Sequence, residues 1–263
     1  MRVRTILFMT GAAAVTAAVA YGYAVRPWWR SWGVDPEASA APLPGDDLVP
    51  DATGIETRTI EIAAPPAAVW PWLVQMGFGR AGWYSYDAID MRGKSADRVN
   101  PEWQTLAEGD LVPVAPDAGF LVKALVPGRE LVLYTDDALV AEQAEKAKAA
   151  RQVGEAVEET PANLEAVGRM MPSMPGFAAS WAFVLEPLDG GIRTRLVERL
   201  RLRAPSTGQK GMEAFLPVLG FGVFVMVRKQ LLGVRDRVER AVAADVAEPA
   251  SPPAEPAAEP AAG

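Results

Sequence analysis

The 263-residue chain contains neither cysteine nor histidine. Their absence excludes thiolate nucleophiles, Ser-His-Asp and Cys-His relays, zinc sites of the Cys/His kind and disulfides. Any chemistry must come from Ser, Thr, Tyr, Lys, Arg and carboxylates. No metal and no cofactor is expected. Clusters of Lys and Arg of the kind that track a phosphate backbone are also missing, so nucleic acid is not an expected partner. The net charge is −7, and the acidic excess is concentrated in Asp136 to Arg169 and Asp245 to Gly263. The rest of the chain is close to neutral.

Half of the residues are hydrophobic, enough for one domain with a substantial core. Thr5 to Val25 is free of charge and mostly apolar. As a helix it would be about 31 Å long, the thickness of a bilayer's hydrocarbon layer. Arg2 and Arg4 precede it, and Arg26, Trp28, Trp29, Arg30 and Trp32 follow it. Aromatic and basic residues in that position suit the headgroup level. The expectation is one N-terminal transmembrane helix, hence a single-pass membrane protein. A cleaved signal peptide ending at Ala18-Val19-Ala20 is the alternative. At the other end, Glu248 to Gly263 is almost entirely Ala, Pro and Glu and cannot bury apolar surface. The chain therefore divides into residues 1–33, anchor or signal peptide; 34–56, linker and lead-in; 57–246, folded domain; and 247–263, tail.

Within the domain, Thr57 to Ala63 alternates as a strand, with Arg58, Ile60 and Ile62 on one face. Ala64-Pro65-Pro66 opens a helix bearing Val69, Trp72, Leu73 and Met76 on one side. A short helix is expected over Tyr84 to Met91. Leu111 to Val114, Phe120 to Val126 and Glu130 to Thr135 follow as an antiparallel meander separated by Pro/Gly/Asp turns. Residues 137–176 form an insertion, helical over Ala138 to Val153, with a second short helix capped by Thr160-Pro161 and with Met170, Met171 and Met174 at its end. Ser180 to Leu188 and Ile192 to Arg203 form a hairpin about Asp189-Gly190-Gly191, whose residues favour positive φ. A long helix over Gly211 to Val246 carries Val227, Leu231, Val234, Val238 and Val242 on one stripe. The order is α+β: a curved antiparallel sheet around a long C-terminal helix.

Several blocks carry a resemblance: Pro42-Leu43-Pro44-Gly45-Asp46-Asp47-Leu48-Val49-Pro50, Trp70-Pro71-Trp72-Leu73-Val74-Gln75-Met76-Gly77, Gly82-Trp83-Tyr84-Ser85-Tyr86-Asp87, Ser95-Ala96-Asp97-Arg98, Pro101-Glu102-Trp103-Gln104, and Ser180 to Leu188. From about residue 32 to about residue 240 the chain resembles bacterial proteins of the SRPBCC superfamily, which includes START lipid-transfer domains and aromatic polyketide cyclases. The resemblance implies a START-like helix-grip fold. It implies an apolar small molecule or lipid as partner and brings no catalytic residue set with it, because this fold hosts carriers and enzymes alike.

Candidate ligand-binding residues are Trp72, Met76, Trp83, Tyr84, Tyr86, Arg98, Trp103, Trp181, Phe183, Glu198 and Phe224. The large rings supply apolar wall with a polar handle; core packing is the alternative reading. Asp87, Asp97 and Arg98 suit either a polar site or a structural ion pair. On the last strand Arg193, Arg195, Arg199, Arg201 and Arg203 share a face, either solvated or drawn to anionic lipid. Glu198 lies on the opposite, apolar face, where a carboxylate needs a partner or a raised pKa. Three functions remain open: binding or transfer of an apolar molecule at a membrane, a polyketide cyclase or dehydratase, and an interaction module with a filled core.

Overall fold

The computed structural model describes residues 21–90, 93–153, 175–204 and 210–247. A π-helical turn, Tyr21–Val25, leads into the short helix α1, Arg26–Arg30. After α2 (Pro36–Ser39) come β1 (Gly54–Ile62), α3 (Pro66–Val74) and α4 (Asp87–Asp90). β2 (Leu111–Ala115), β3 (Ala118–Val126) and β4 (Glu130–Asp136) form the meander, followed by α5 (Asp137–Gln152), β5 (Ala178–Leu188), β6 (Arg193–Arg203) and α6 (Lys210–Ala247). The six strands make one antiparallel sheet in the order β1-β6-β5-β4-β3-β2. The expected α+β order is present. The expected helix over Tyr84 to Met91 is confined to α4, because Tyr84 takes a left-handed backbone with φ of 58°.

The inner face of the sheet carries Ile60, Ile62, Leu131, Leu133, Phe183, Leu185 and Leu196, and these pack with Val227, Leu231, Val234 and Val238 of α6 and with Val69, Trp72 and Leu73 of α3. Pro113 is tolerated because β2 is an edge strand, where a missing N–H breaks no bond to a further strand.

The segment expected to be a linker is a packed strap. Asp46 caps the Leu43 N–H at 3.0 Å, Val49 is fully buried, and Gly45 (φ of 84°) lies against Val132 so closely that a side chain would collide with it. The strap covers much of the outer arginine face. Arg199 donates to the carbonyls of Ser39 and Ala41, to Asp46 and to Thr57 Oγ1. Arg201 donates to the carbonyls of Val49 and Pro50, and Arg203 to Asp51 and the Gly176 carbonyl. Arg193, Arg195 and Arg203 stay part-exposed, the first two paired with Glu61, Asp189 and Glu186. The expectation of a solvated face is met only at Arg193, Arg195 and Arg203; the strap covers Arg199 and Arg201, where a guanidinium with five donors is buried at low cost because backbone carbonyls converge on it.

The strands flanking the insertion pair directly, from Glu130↔Val184 to Asp136↔Ala178. Of the insertion, α5 is capped by the Asp136 side chain accepting from the Leu139 N–H. Thr160-Pro161, Met170, Met171 and Met174 lie outside the described residues. Deleting Ala138 to Ser173 and bridging with a Gly-containing turn should leave a cooperatively folding domain, since the β4–β5 register needs nothing from the deleted chain. A urea transition that broadens or vanishes in that variant would show the insertion to be part of the cooperative unit.

Among the described residues no helix is long and apolar enough to cross a membrane. The expected spanning run, Thr5 to Val25, lies outside them except for its last turn, and so does the tail from Glu248.

Candidate functional site

Two indoles from distant parts of the chain form the wall of a cavity. Trp181 projects from the inner face of β5, beside Leu133 of β4 and Leu200 of β6. Trp83 follows a loop tightened by the Gly77↔Gly82 bridge and by positive φ at Gly77, Gly79 and Gly82. The rings stack with centroids 5.3 Å apart and planes 22° from parallel. Phe120 and Phe183 pack on Trp181 at 5.7 and 5.0 Å.

The space beside these rings has a volume of about 210 Å³ and opens to the surface. Trp83, Ser85, Val114 and Trp181 line one side, and Val223, Met226, Val227 and Gln230 of α6 line the other. The two polar side chains in this set are engaged elsewhere: Ser85 Oγ donates to the Met226 carbonyl at 2.9 Å, and Gln230 Nε2 lies 3.4 Å from Met76 Sδ. What faces the cavity is therefore hydrocarbon and aromatic ring.

Behind Trp181 lies a buried ionic group. Trp181 Nε1 donates to Glu198 Oε1 at 2.6 Å, and Arg58 donates to Glu198 Oε2 at 3.1 Å. The antiparallel register sets Arg58 directly opposite Glu198. Both side chains are fully buried. Arg58 also pairs with Glu56, reaches the Trp29 carbonyl at 3.4 Å and lies over the Phe224 ring. Burial raises the Glu198 pKa above the ordinary carboxyl value and nearby Glu56 adds to the rise, while Arg58 and the indole hydrogen bond oppose it. With donors on both oxygens, Glu198 holds the indole in place and is not itself among the residues lining the cavity.

The other predicted residues separate into three environments. Trp72, Met76, Tyr84 and Phe183 are core. Tyr84 is a structural hub: its N–H donates to Ser95 Oγ, its hydroxyl accepts from Gln75 and donates to the Trp72 carbonyl, and Arg237 lies 4.8 Å over its ring. Burial pushes its phenol pKa well above the ordinary tyrosine range. Trp103 is half-buried, with its carbonyl accepting from Arg80. Tyr86 and Arg98 are exposed. Asp87 accepts from Ser95 Oγ at 2.6 Å, a bond that ties the loop. Phe224 packs between Trp28, Trp29 and Trp32.

Sequence reasoning did not select Arg58, Glu56, Ser85, Val114, Met226 or Gln230. For Arg58 the signal was present: it shares the alternating face of Ile60 and Ile62. The others depend on which segments meet in space.

Among the described residues no group of three or more carboxylates could hold a metal ion. No protein-family model matches the chain, and no curated protein does. Among solved structures, protein MLL2253 from Mesorhizobium loti aligns at 12% identity over 70% of this chain and 98% of its own, with a TM-score of 0.28. Protein Ms6760 from Mycobacterium smegmatis aligns at 12% identity over 72% and 90%, with a TM-score of 0.30. The Polyketide_cyc-like protein Cgl2372 from Corynebacterium glutamicum aligns at 14% identity over 73% and 93%, with a TM-score of 0.25.

Proposed function

We propose that this is a helix-grip protein that binds the apolar part of a small molecule, lipid or polyketide-like, between Trp83, Trp181 and α6, and that the run Thr5 to Val25 keeps it at a membrane. The observation carrying the reading is the apolar cavity of about 210 Å³ walled by two stacked indoles, of which Trp181 is held from behind by a buried carboxylate. An apolar cavity of about 150 Å³ is enough to take up benzene, whereas pockets enclosing drug-sized ligands run from about 300 to 1,000 Å³. This one accommodates a single ring or a chain end. That size favours a binder of apolar groups over a cyclase, which has to enclose a folded polyketide and place proton-transfer groups against it.

The test uses purified protein with fatty acids, isoprenoids and aromatic polyketides, followed by native mass spectrometry, tryptophan emission and thermal denaturation. A ligand confined to the folded state raises stability by about 2.7 kcal/mol at one hundred times its dissociation constant. Val223→Phe, which fills the cavity from a half-buried helical position, should keep the fold and lose the ligand response. Absence of any shift or emission change in the parent protein would refute the binding reading, and conversion of a bound compound would identify an enzyme.

A further inference from the structure

The segment entering the domain presents an aromatic surface fixed to the same helix that lines the cavity. Tyr23 is 85% exposed, Val25 40% and Trp28 55%, and on α6 Phe221 is 41% exposed. Isolated exposed apolar residues are ordinary, but here Trp28 and Phe221 both pack on Phe224, at 5.4 and 5.8 Å, so they belong to one patch. Arg26, exposed, and Arg30, half-exposed, share α1 with Trp28, and exposed Arg228 lies over Trp32, which packs on the same Phe224. Glu56, whose Oε1 would lie 3.8 Å from a Cβ at Gly220, is mostly buried and paired with Arg58.

This surface is held rigidly. Trp29 is buried between Phe221 and Phe224. Gly220 permits that approach, since a side chain there would meet the indole at 3.0 Å. Arg30 donates twice to the Ile55 carbonyl, at 2.8 and 3.1 Å, and Trp32 accepts from the Thr59 N–H at 3.1 Å. A simple tether would need none of these contacts.

We propose that the patch of Trp28 and Phe221, with Tyr23, Val25 and the surrounding cations, is a docking surface for an anionic bilayer that seats the domain in one orientation, with the cavity about one helical turn from the lipid. The occupant follows from the chemistry. Exposed tryptophan and tyrosine beside arginine suit the headgroup level, cations are attracted to anionic lipid, and the patch directly continues the apolar run Thr5 to Val25. The proposal rests on the membrane half of the reading above and is independent of the cavity's ligand.

The cysteine-free chain permits a clean test. Single substitutions Gly222→Cys, beside the patch at a position where an added Cβ meets nothing within 4 Å, and Ile192→Cys, 68% exposed in the β5–β6 turn at the opposite end of the strands, are each labelled with an environment-sensitive fluorophore. The full chain is reconstituted into phosphatidylcholine/phosphatidylglycerol vesicles. The label at 222 should shift to the blue and show severalfold weaker quenching by aqueous iodide than the label at 192. Adding Tyr23→Ser and Trp28→Ser should restore iodide access at 222 while the chain still sediments with the vesicles. Equal iodide access at the two positions on vesicle-bound chain overturns the proposal, as does failure to bind vesicles. Shielding at 222 that is already complete without lipid also overturns it, assigning the patch to a protein contact. Thermal shifts with cavity ligands, measured on the same labelled protein, report the cavity separately, so either reading can fail alone.

Discussion

Replacing Arg58 by methionine should lower stability by about 3–5 kcal/mol at neutral pH, the usual consequence of removing one partner from a buried ion pair. The cause is less the lost attraction than the carboxylate left behind: Glu198 would keep the indole donor of Trp181 and lose its guanidinium in a fully buried site. The pH dependence has a definite sign. The folded-state pKa of Glu198 is raised by burial, so protonation favours the folded state. The stability associated with this group is fully present below its unfolded pKa and is lost as pH rises through the folded value. Arg58 is the largest influence opposing that rise. Without it the folded pKa moves further up, and the variant's deficit should be largest near neutrality and shrink on acidification. Urea denaturation at several pH values measures this directly. Replacing both residues, Arg58→Met with Glu198→Met, should recover most of the loss, because buried pairs exchanged for apolar groups are often neutral or better. A single-variant loss below about 1 kcal/mol, or one independent of pH, would show that water reaches the pair.

Gly233→Val should be comparably damaging, against the expectation from helix propensity. Glycine inside a helix is disfavoured relative to alanine by about 1 kcal/mol, so an exposed Gly233 would be a site for stabilisation. In the fold, a Cβ at 233 would overlap the carbonyl oxygen of Tyr84 and crowd its Cβ. Tyr84 cannot retreat, being held in a left-handed conformation by Ser95, Gln75, Trp72 and Arg237. Overpacking a close-packed core costs roughly 1–3 kcal/mol even where neighbours adjust. With backbone as the obstacle, the loss should be at the top of that range or beyond it for valine, and smaller but still a loss for alanine. A rise in melting temperature for Gly233→Ala would mean that α6 moves away from the Tyr84 loop more easily than this packing implies.

Much of the architecture is legible in periodicity alone. The alternation of β1, β5 and β6, the Asp189-Gly190-Gly191 turn and the stripe from Val227 to Val238 are local patterns, and they place each element's apolar face before any partner is known. Glu198 belongs to the same class: a lone carboxylate on an apolar face signals a buried partner or a shifted pKa by its position, although the identity of the partner is not local. Arg58 became that partner because β1 pairs with β6 in one register out of several, and a shift by one residue would have turned it outward. Likewise Asp35 to Asp51 has the composition of a linker, yet it is a strap, because the carbonyls it carries meet the arginines of β6. The division of aromatics between cavity, core and surface follows the same logic. Trp83 and Trp72 are equally apolar in sequence, and only the approach of α6 leaves open space beside one while enclosing the other. Periodicity is a property of consecutive residues and survives in the unfolded chain; partners and cavities arise where segments far apart in sequence converge, and that is decided by packing.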